Sequence, residues 1–199
     1  MEDLNYYPQL LEIGSTGRNS GKTFFAKNVI AQLKDNHPIV ALKIVTIHGA
    51  RGVCQRGATG CGICTSIDEG FELVEEKNMF GKKDTMELLR AGCKKAYLLK
   101  AFEDSLYEGF EYFLKQISSD SLIICESNSL RKYLVPGIFV MIHNQRRGIK
   151  KSAEEVLDLA DFVIEKQDVL ESEYSVDVKE QNFAPRWIIT NKVEQEAVC

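Results

Sequence analysis

Gly14-Ser15-Thr16-Gly17-Arg18-Asn19-Ser20-Gly21-Lys22-Thr23 joins a short apolar run to a helical stretch that begins at Phe24. Strand, glycine loop, Lys-Thr and helix is the order a phosphate-binding loop (P-loop) requires. Glycines let backbone N–H groups converge on phosphate oxygens, and the helix N-terminus turns its positive dipole end toward them. Gly17, Arg18, Asn19, Ser20, Gly21, Lys22 and Thr23 would line a triphosphate in such a site. Lys22 would reach its outer phosphates, and the Thr23 hydroxyl would ligate magnesium. The usual spacing puts a glycine where Thr16 stands, with Gly17 one place later, so a slightly different loop path is expected.

A site of this kind also needs a carboxylate at the end of a neighbouring strand to hold magnesium, directly or through water. Glu126 ends the apolar run Leu122-Ile123-Ile124-Cys125 and is placed for that task. Asp84 is a second candidate, for magnesium or for positioning water. Asp84-Thr85-Met86-Glu87 equally has the form of a capping box, in which Asp84 accepts a helix N–H and Glu87 reaches back. Lys22, Glu126 and Asp84 are thus the expected catalytic groups, acting on GTP or ATP with magnesium. Thr190-Asn191-Lys192-Val193-Glu194 loosely resembles a guanine-reading Asn-Lys-x-Asp, but its glutamate reaches one methylene too far, and a polar tail is the simpler reading.

Three of the six cysteines, Cys54, Cys61 and Cys64, form C-x6-C-x2-C in a glycine-rich stretch over 49–70 that lacks apolar periodicity. A C-x2-C pair can turn two thiolates toward one ion, and metal binding would order a segment with little to bury. His48 would complete a zinc site; alternatively the three thiolates would hold an iron-sulfur cluster, with Cys125, another subunit or an exogenous molecule as fourth ligand. A disulfide and free thiols are the competing readings. Cys93 reads as a core residue and Cys199 as incidental.

The elements that must position these groups follow from alternating apolar runs and helical periods. Strands are expected over 10–13, 39–47, 96–100, 122–126, 139–143, 162–164 and 187–190, and helices over 21–34, 84–95, 104–118 and 152–159. Leu106, Phe110, Phe113, Leu114 and Ile117 give the third helix one apolar face. The expected fold is α/β: a P-loop NTPase with a mostly parallel sheet flanked by helices and a Gly/Cys-rich insertion after the second strand. With 199 residues and 44% hydrophobic content, one domain over 1–199 is expected, with 49–70 inserted in it.

A formal net charge of −4 argues against a main role on nucleic acid or an anionic membrane. The local basic group Arg146, Arg147, Lys150 and Lys151 reads as a solvated loop. Residues 1–8 have neither a basic start nor an export-length apolar run, and no stretch approaches spanning length, so a cytoplasmic protein is expected.

Several landmarks fall in a shared order: Arg18-Asn19-Ser20-Gly21-Lys22-Thr23, Ala41-Leu42-Lys43-Ile44, Gly81-Lys82-Lys83-Asp84-Thr85, Arg90-Ala91-Gly92-Cys93 and Leu122-Ile123-Ile124-Cys125-Glu126. Together they resemble the MobB family across residues 10–143. The chain departs from that family where Ile47-His48-Gly49 opens the cysteine-rich stretch and where Ser127 replaces a glycine after Glu126. The resemblance implies a GTP-binding adaptor in molybdopterin-guanine dinucleotide synthesis, a homodimer, and a metallocofactor-assembly or client enzyme as partner. Slow nucleotide hydrolysis coupled to metallocofactor maturation is the leading expectation. A non-hydrolytic nucleotide- or metal-sensing adaptor and a small-molecule kinase are the alternatives.

Overall fold

The computed structural model describes residues 4–48, 67, 70–146, 148–171 and 173–192. Cys54, Cys61 and Cys64 lie outside the described residues.

The first strand, β1 (Tyr6–Ser15), buries Leu10, Leu11 and Ile13 completely, as a strand covered on both faces must. It is followed by α1 (Lys22–Leu33), whose Phe25, Ala26, Val29, Ile30 and Leu33 form one buried stripe. Then come β2 (Ile39–Ile47), β3 (Phe71–Glu76), α2 (Asp84–Ala91) and β4 (Lys95–Phe102). The remainder runs α3 (Leu106–Leu114), β5 (Leu122–Glu126), β6 (Val135–His143), α4 (Lys151–Glu154), β7 (Phe162–Glu165), α5 (Lys166–Leu170), β8 (Tyr174–Gln181) and β9 (Ala184–Asn191). Seven strands form one sheet in the order β3-β4-β2-β5-β1-β6-β7, parallel except for β3 at the edge. β8 and β9 make a separate antiparallel pair.

Alternate residues of the sheet feed two cores. Leu11, Ile13, Ala41 and Ile124 pack against α1, with Val176, Val178 and Trp187 of the hairpin joining them. Leu10, Leu42, Ile123 and Cys125 pack against Phe110 and Phe113 of α3 on the opposite face. β1 lies inside the sheet between β5 and β6, so the loop that leaves it opens where the connections diverge to the two sides, the usual position for a ligand on a parallel sheet.

The α/β expectation holds, and the differences have local causes. β1 begins earlier than residue 10 because Tyr6 and Tyr7 pair with Val135 and Pro136 before a register shift. Opposite that shift Gly137 is required, since a Cβ there would stand 2.2 Å from the Pro8 carbonyl oxygen, which also accepts the Trp187 indole N–H at 2.9 Å. α2 stops at residue 91 instead of 95 because Gly92 adopts φ 113° and its N–H closes on the Leu89 carbonyl, a left-handed stop. The expected helix over 104–118 is a 3-10 turn, Glu103–Ser105, followed by the shorter α3; the one over 152–159 breaks into α4 and the 3-10 turn Leu157–Leu159. The strand expected over 187–190 is the second arm of a hairpin whose turn places Asn182 and Phe183 at φ 52° and 61°, the primed geometry that matches strand twist. No described helix is long and apolar enough to cross a membrane.

Candidate functional site

The loop between β1 and α1 is held by its own hydroxyls and by the two neighbouring strands. Ser15 Oγ and Ser20 Oγ both donate to the Gly17 carbonyl, at 2.8 and 2.9 Å. Thr16 takes the place of the usual glycine by continuing the sheet: its N–H donates to the Ile142 carbonyl at 3.0 Å, and its hydroxyl accepts from the Asn144 N–H at 2.9 Å. Asn19 at φ 53° and Gly21 at φ 94° turn the chain into the helix. Gly21 is the N-cap of α1 and provides no side-chain hydrogen bond. The leading N–H groups of α1 are thus left without the side-chain oxygen that commonly satisfies them.

Lys22, the first residue of α1, is partly buried and donates from Nζ to Ser15 Oγ at 2.8 Å. Burial, then the nearby Lys43, lower its pKa, while Glu126 and Asp84 work the other way. Lys43 faces Glu126 because β2 and β5 pair those two residues in register. Its Nζ lies 2.7 Å from Glu126 Oε2 and 2.5 Å from Asp84 Oδ2. Burial disfavours the Lys43 charge, but the two carboxylates outweigh it and hold its pKa above the ordinary value. The Glu126 side chain is only 1% exposed, and its Oε1 has no hydrogen-bond partner.

Three expected site residues, Lys22, Asp84 and Glu126, therefore gather around one lysine that sequence reading treated only as a family landmark. The capping box is not formed. Lys83 is the N-cap of α2, Asp84 turns to Lys43, and Glu87 pairs with Lys27 at 2.7 Å. An ion pair within a partly buried site outcompetes the local cap, and Asp84 still favours the N-terminal turn of its helix electrostatically.

Two further groups come from outside the loop. Asn128 Oδ1 accepts from the Ser15 N–H and its Nδ2 donates to the Ser15 carbonyl, both at 3.0 Å, while Nδ2 also reaches the Ser152 carbonyl at 3.3 Å. The Lys150 N–H donates to the Thr16 carbonyl at 2.9 Å. Burial, then Lys22, Lys43 and Arg18, push the Lys150 pKa down to about 8. Lys150 belongs to the basic group expected as a solvated loop, and it is instead partly buried, beside the strand end that β6 and β1 bring together.

Of the residues expected at the metal cluster, His48 directly follows β2, with Nδ1 2.8 Å from Glu103 Oε2. Cys125 is fully buried in the α3-side core, and burial pushes its thiol well above the ordinary value, with Glu12 and Glu126 adding to the effect. Cys93 is a core residue, as expected; burial raises its thiol to about 12, and Sγ donates to the Leu88 carbonyl at 3.3 Å. Among the described residues no group of three or more His, Cys, Asp or Glu is gathered to hold a metal ion. Asn191 ends β9, and the Lys192 N–H donates to the Glu173 carbonyl at 2.6 Å, so both belong to the hairpin end.

Beneath the site, on the α3 side of β1, Glu12 is fully buried. Its Oε1 accepts the Arg131 N–H at 3.1 Å and its Oε2 has no partner. Burial raises its pKa from 4.5 to about 8, against the Arg131 N–H and charge. The folded state thus keeps a proton here that the unfolded chain releases above pH 4.5, so this group's contribution to stability is lost as pH rises from 4.5 to about 8. Glu12→Gln should remove a slope of about 1.4 kcal/mol per pH unit from the unfolding free energy in that window. Urea unfolding of both proteins at several pH values between 5 and 8 checks this; parallel profiles would contradict it.

No family model matches the chain, and no curated protein matches it. Among solved structures it is similar to LpxK from Aquifex aeolicus, determined in complex with ATP, with a TM-score of 0.50 and 16% identity. The alignment covers 82% of this chain and 50% of that one, so the chain spans half the length of the structure it matches. At this identity the likeness shows the fold alone, an α/β fold with a mostly parallel sheet flanked by helices.

Proposed function

We propose that the chain binds a nucleoside triphosphate with magnesium at the loop between β1 and α1. The observation that carries this is the convergence of uncapped N–H groups of α1, the partly buried Lys22 and the Lys43–Asp84–Glu126 group at the C-terminal edge of the sheet. Gly17 to Thr23 would cradle the phosphates through their backbone, and Lys22 would exchange Ser15 for a phosphate oxygen. The ATP complex of the LpxK structure is consistent with this reading.

Magnesium suits the donors present. The hard oxygens of Thr23, Glu126 and Asp84 are its preferred ligand type, and Glu126 Oε1 is a buried acceptor with no partner. When bound, the ion would neutralise charge on the outer phosphates. Glu126 and Asp84 would hold it directly or through water, while Lys43 orients both carboxylates. Glu126→Gln should therefore weaken the magnesium dependence of nucleotide binding by about tenfold, read as the shift in midpoint of a magnesium titration at fixed nucleotide. An unshifted midpoint would reduce Glu126 to a partner of Lys43.

Slow hydrolysis of the nucleotide, GTP by the MobB resemblance, is the proposed activity, coupled to maturation of a metallocofactor in a client enzyme, with the chain acting as a homodimer. A zinc ion or iron-sulfur cluster at Cys54, Cys61, Cys64 and His48 belongs to the same proposal. The His48–Glu103 contact supports the histidine's part in it, because a carboxylate on Nδ1 is the arrangement that orients Nε2 toward a metal. A non-hydrolytic adaptor is the second reading. It is favoured by Lys43 engaging both Asp84 and Glu126, which leaves neither carboxylate disengaged to act as a base.

A further inference from the structure

Lys150 stands at the start of α4, outside the glycine loop, yet the fold binds it to that loop at two levels. Its own N–H is bonded to the Thr16 carbonyl, and two residues on the Ser152 carbonyl is bonded to Asn128, which also clamps Ser15. Thr16 receives the chain on both sides of that segment, since its hydroxyl holds the Asn144 N–H before it and its carbonyl holds the Lys150 N–H after it. These bonds set the Lys150 backbone against Thr16, with its partly buried ammonium close enough to feel the charges of Lys22, Lys43 and Arg18.

The charges gathered there do not balance. The partly buried Lys22, Lys43 and Lys150 and the exposed Arg18 are four cations, whereas the facing carboxylates are Asp84 and Glu126, both of which pair with Lys43. Among the described residues no carboxylate pairs with Lys150 or with Lys22. Crowding like charges at partial burial is unfavourable unless an anion arrives between them. The surplus of two positive charges matches a magnesium-complexed triphosphate, which carries a net charge of about −2.

We propose that Lys150 is a phosphate-binding residue of this site, so that a bound triphosphate is held from two sides, by Lys22 at the start of α1 and by Lys150 at the start of α4. The inference rests on the P-loop reading above. It goes beyond that reading by assigning a phosphate contact to a residue no P-loop pattern contains. Because the contact is to phosphate, it is indifferent to the base.

Calorimetric titration of the full chain with magnesium-ATP, magnesium-GTP and inorganic triphosphate tests it. Lys150→Met should weaken all three by the same factor, roughly tenfold to hundredfold, as loss of one charge-assisted contact requires. Lys150→Arg should recover most of the affinity. The melting temperature of the nucleotide-free Lys150→Met protein should not fall, because methionine keeps the stem and removes a repelled charge. Affinities within twofold of wild type would overturn the inference while leaving the P-loop reading intact, provided wild type binds and Lys22→Ala does not. A weakening confined to the nucleotides, with triphosphate unaffected, would likewise overturn it, since the residue would then be acting on the base. If wild type binds none of the three, both readings fall together.

Discussion

Lys43→Met should destabilise the nucleotide-free protein by about 3–5 kcal/mol at pH 7, the range for breaking a buried ion pair from one side. Methionine preserves the stem that packs beneath the ammonium, so the loss is electrostatic. Glu126 would then hold a charge at 1% exposure with neither oxygen paired, because Oε1 already lacks a partner and Oε2 depends on Lys43. The Asp84 contact adds little to this figure, since Asp84 is 45% exposed and water screens it. The sign of the pH dependence follows. In the variant a proton on the Glu126 carboxyl would remove the unpaired buried charge, so the defect should shrink as pH falls. Lys43→Met/Glu126→Gln should recover most of the loss, as both ends of the pair are then neutral. Urea unfolding of the three proteins at pH 7 and pH 5 measures all of this. A single-variant cost below about 1 kcal/mol, or no recovery in the double variant, would show that the pair is not the electrostatic centre of the site.

The parts of the molecule legible in its sequence are those whose signals are local. β2 and β5 match their apolar runs residue for residue, since a strand buried on both faces is a continuous hydrophobic segment. The loop into α1 is legible for the same reason, because its chemistry lies in ten consecutive residues. β3 and β8 went unseen. β3 is an edge strand with Glu72, Glu75 and Glu76 among six residues, and β8 alternates polar and apolar side chains in a hairpin whose Asn182-Phe183 turn carries none of the usual glycine signal.

The site divides along the same line. Lys22 and Glu126 were identified as expected groups from strand-end and loop position. Lys43, Asn128 and Lys150 take their roles from registers between distant segments: Lys43 reaches Glu126 across 83 residues, and Asn128 reaches Ser15 across 113. Such pairings depend on strand order, which no local spacing encodes. A lysine in the middle of an otherwise apolar strand was nevertheless a usable signal, because a charge in a two-sided strand must find a partner.

Lys22→Ala should reduce affinity for a magnesium nucleoside triphosphate by about a hundredfold or more while leaving the fold in place. The bond to Ser15 Oγ is the one hydrogen bond of the Lys22 ammonium among the described residues, and burial and Lys43 already disfavour its charge, so its removal costs the nucleotide-free protein little. With phosphate present, the same ammonium would make charge-assisted bonds in a partly buried site, where their loss is felt more than at the surface. The most direct measurement is therefore a calorimetric titration of wild-type protein and Lys22→Ala with magnesium-ATP and magnesium-GTP at equal ionic strength. The result expected is saturable one-to-one binding of at least one nucleotide by wild type, lost in Lys22→Ala at an unchanged melting temperature. Absence of binding by wild type, or equal affinity in the two proteins, would contradict the assignment of this loop as a nucleotide site.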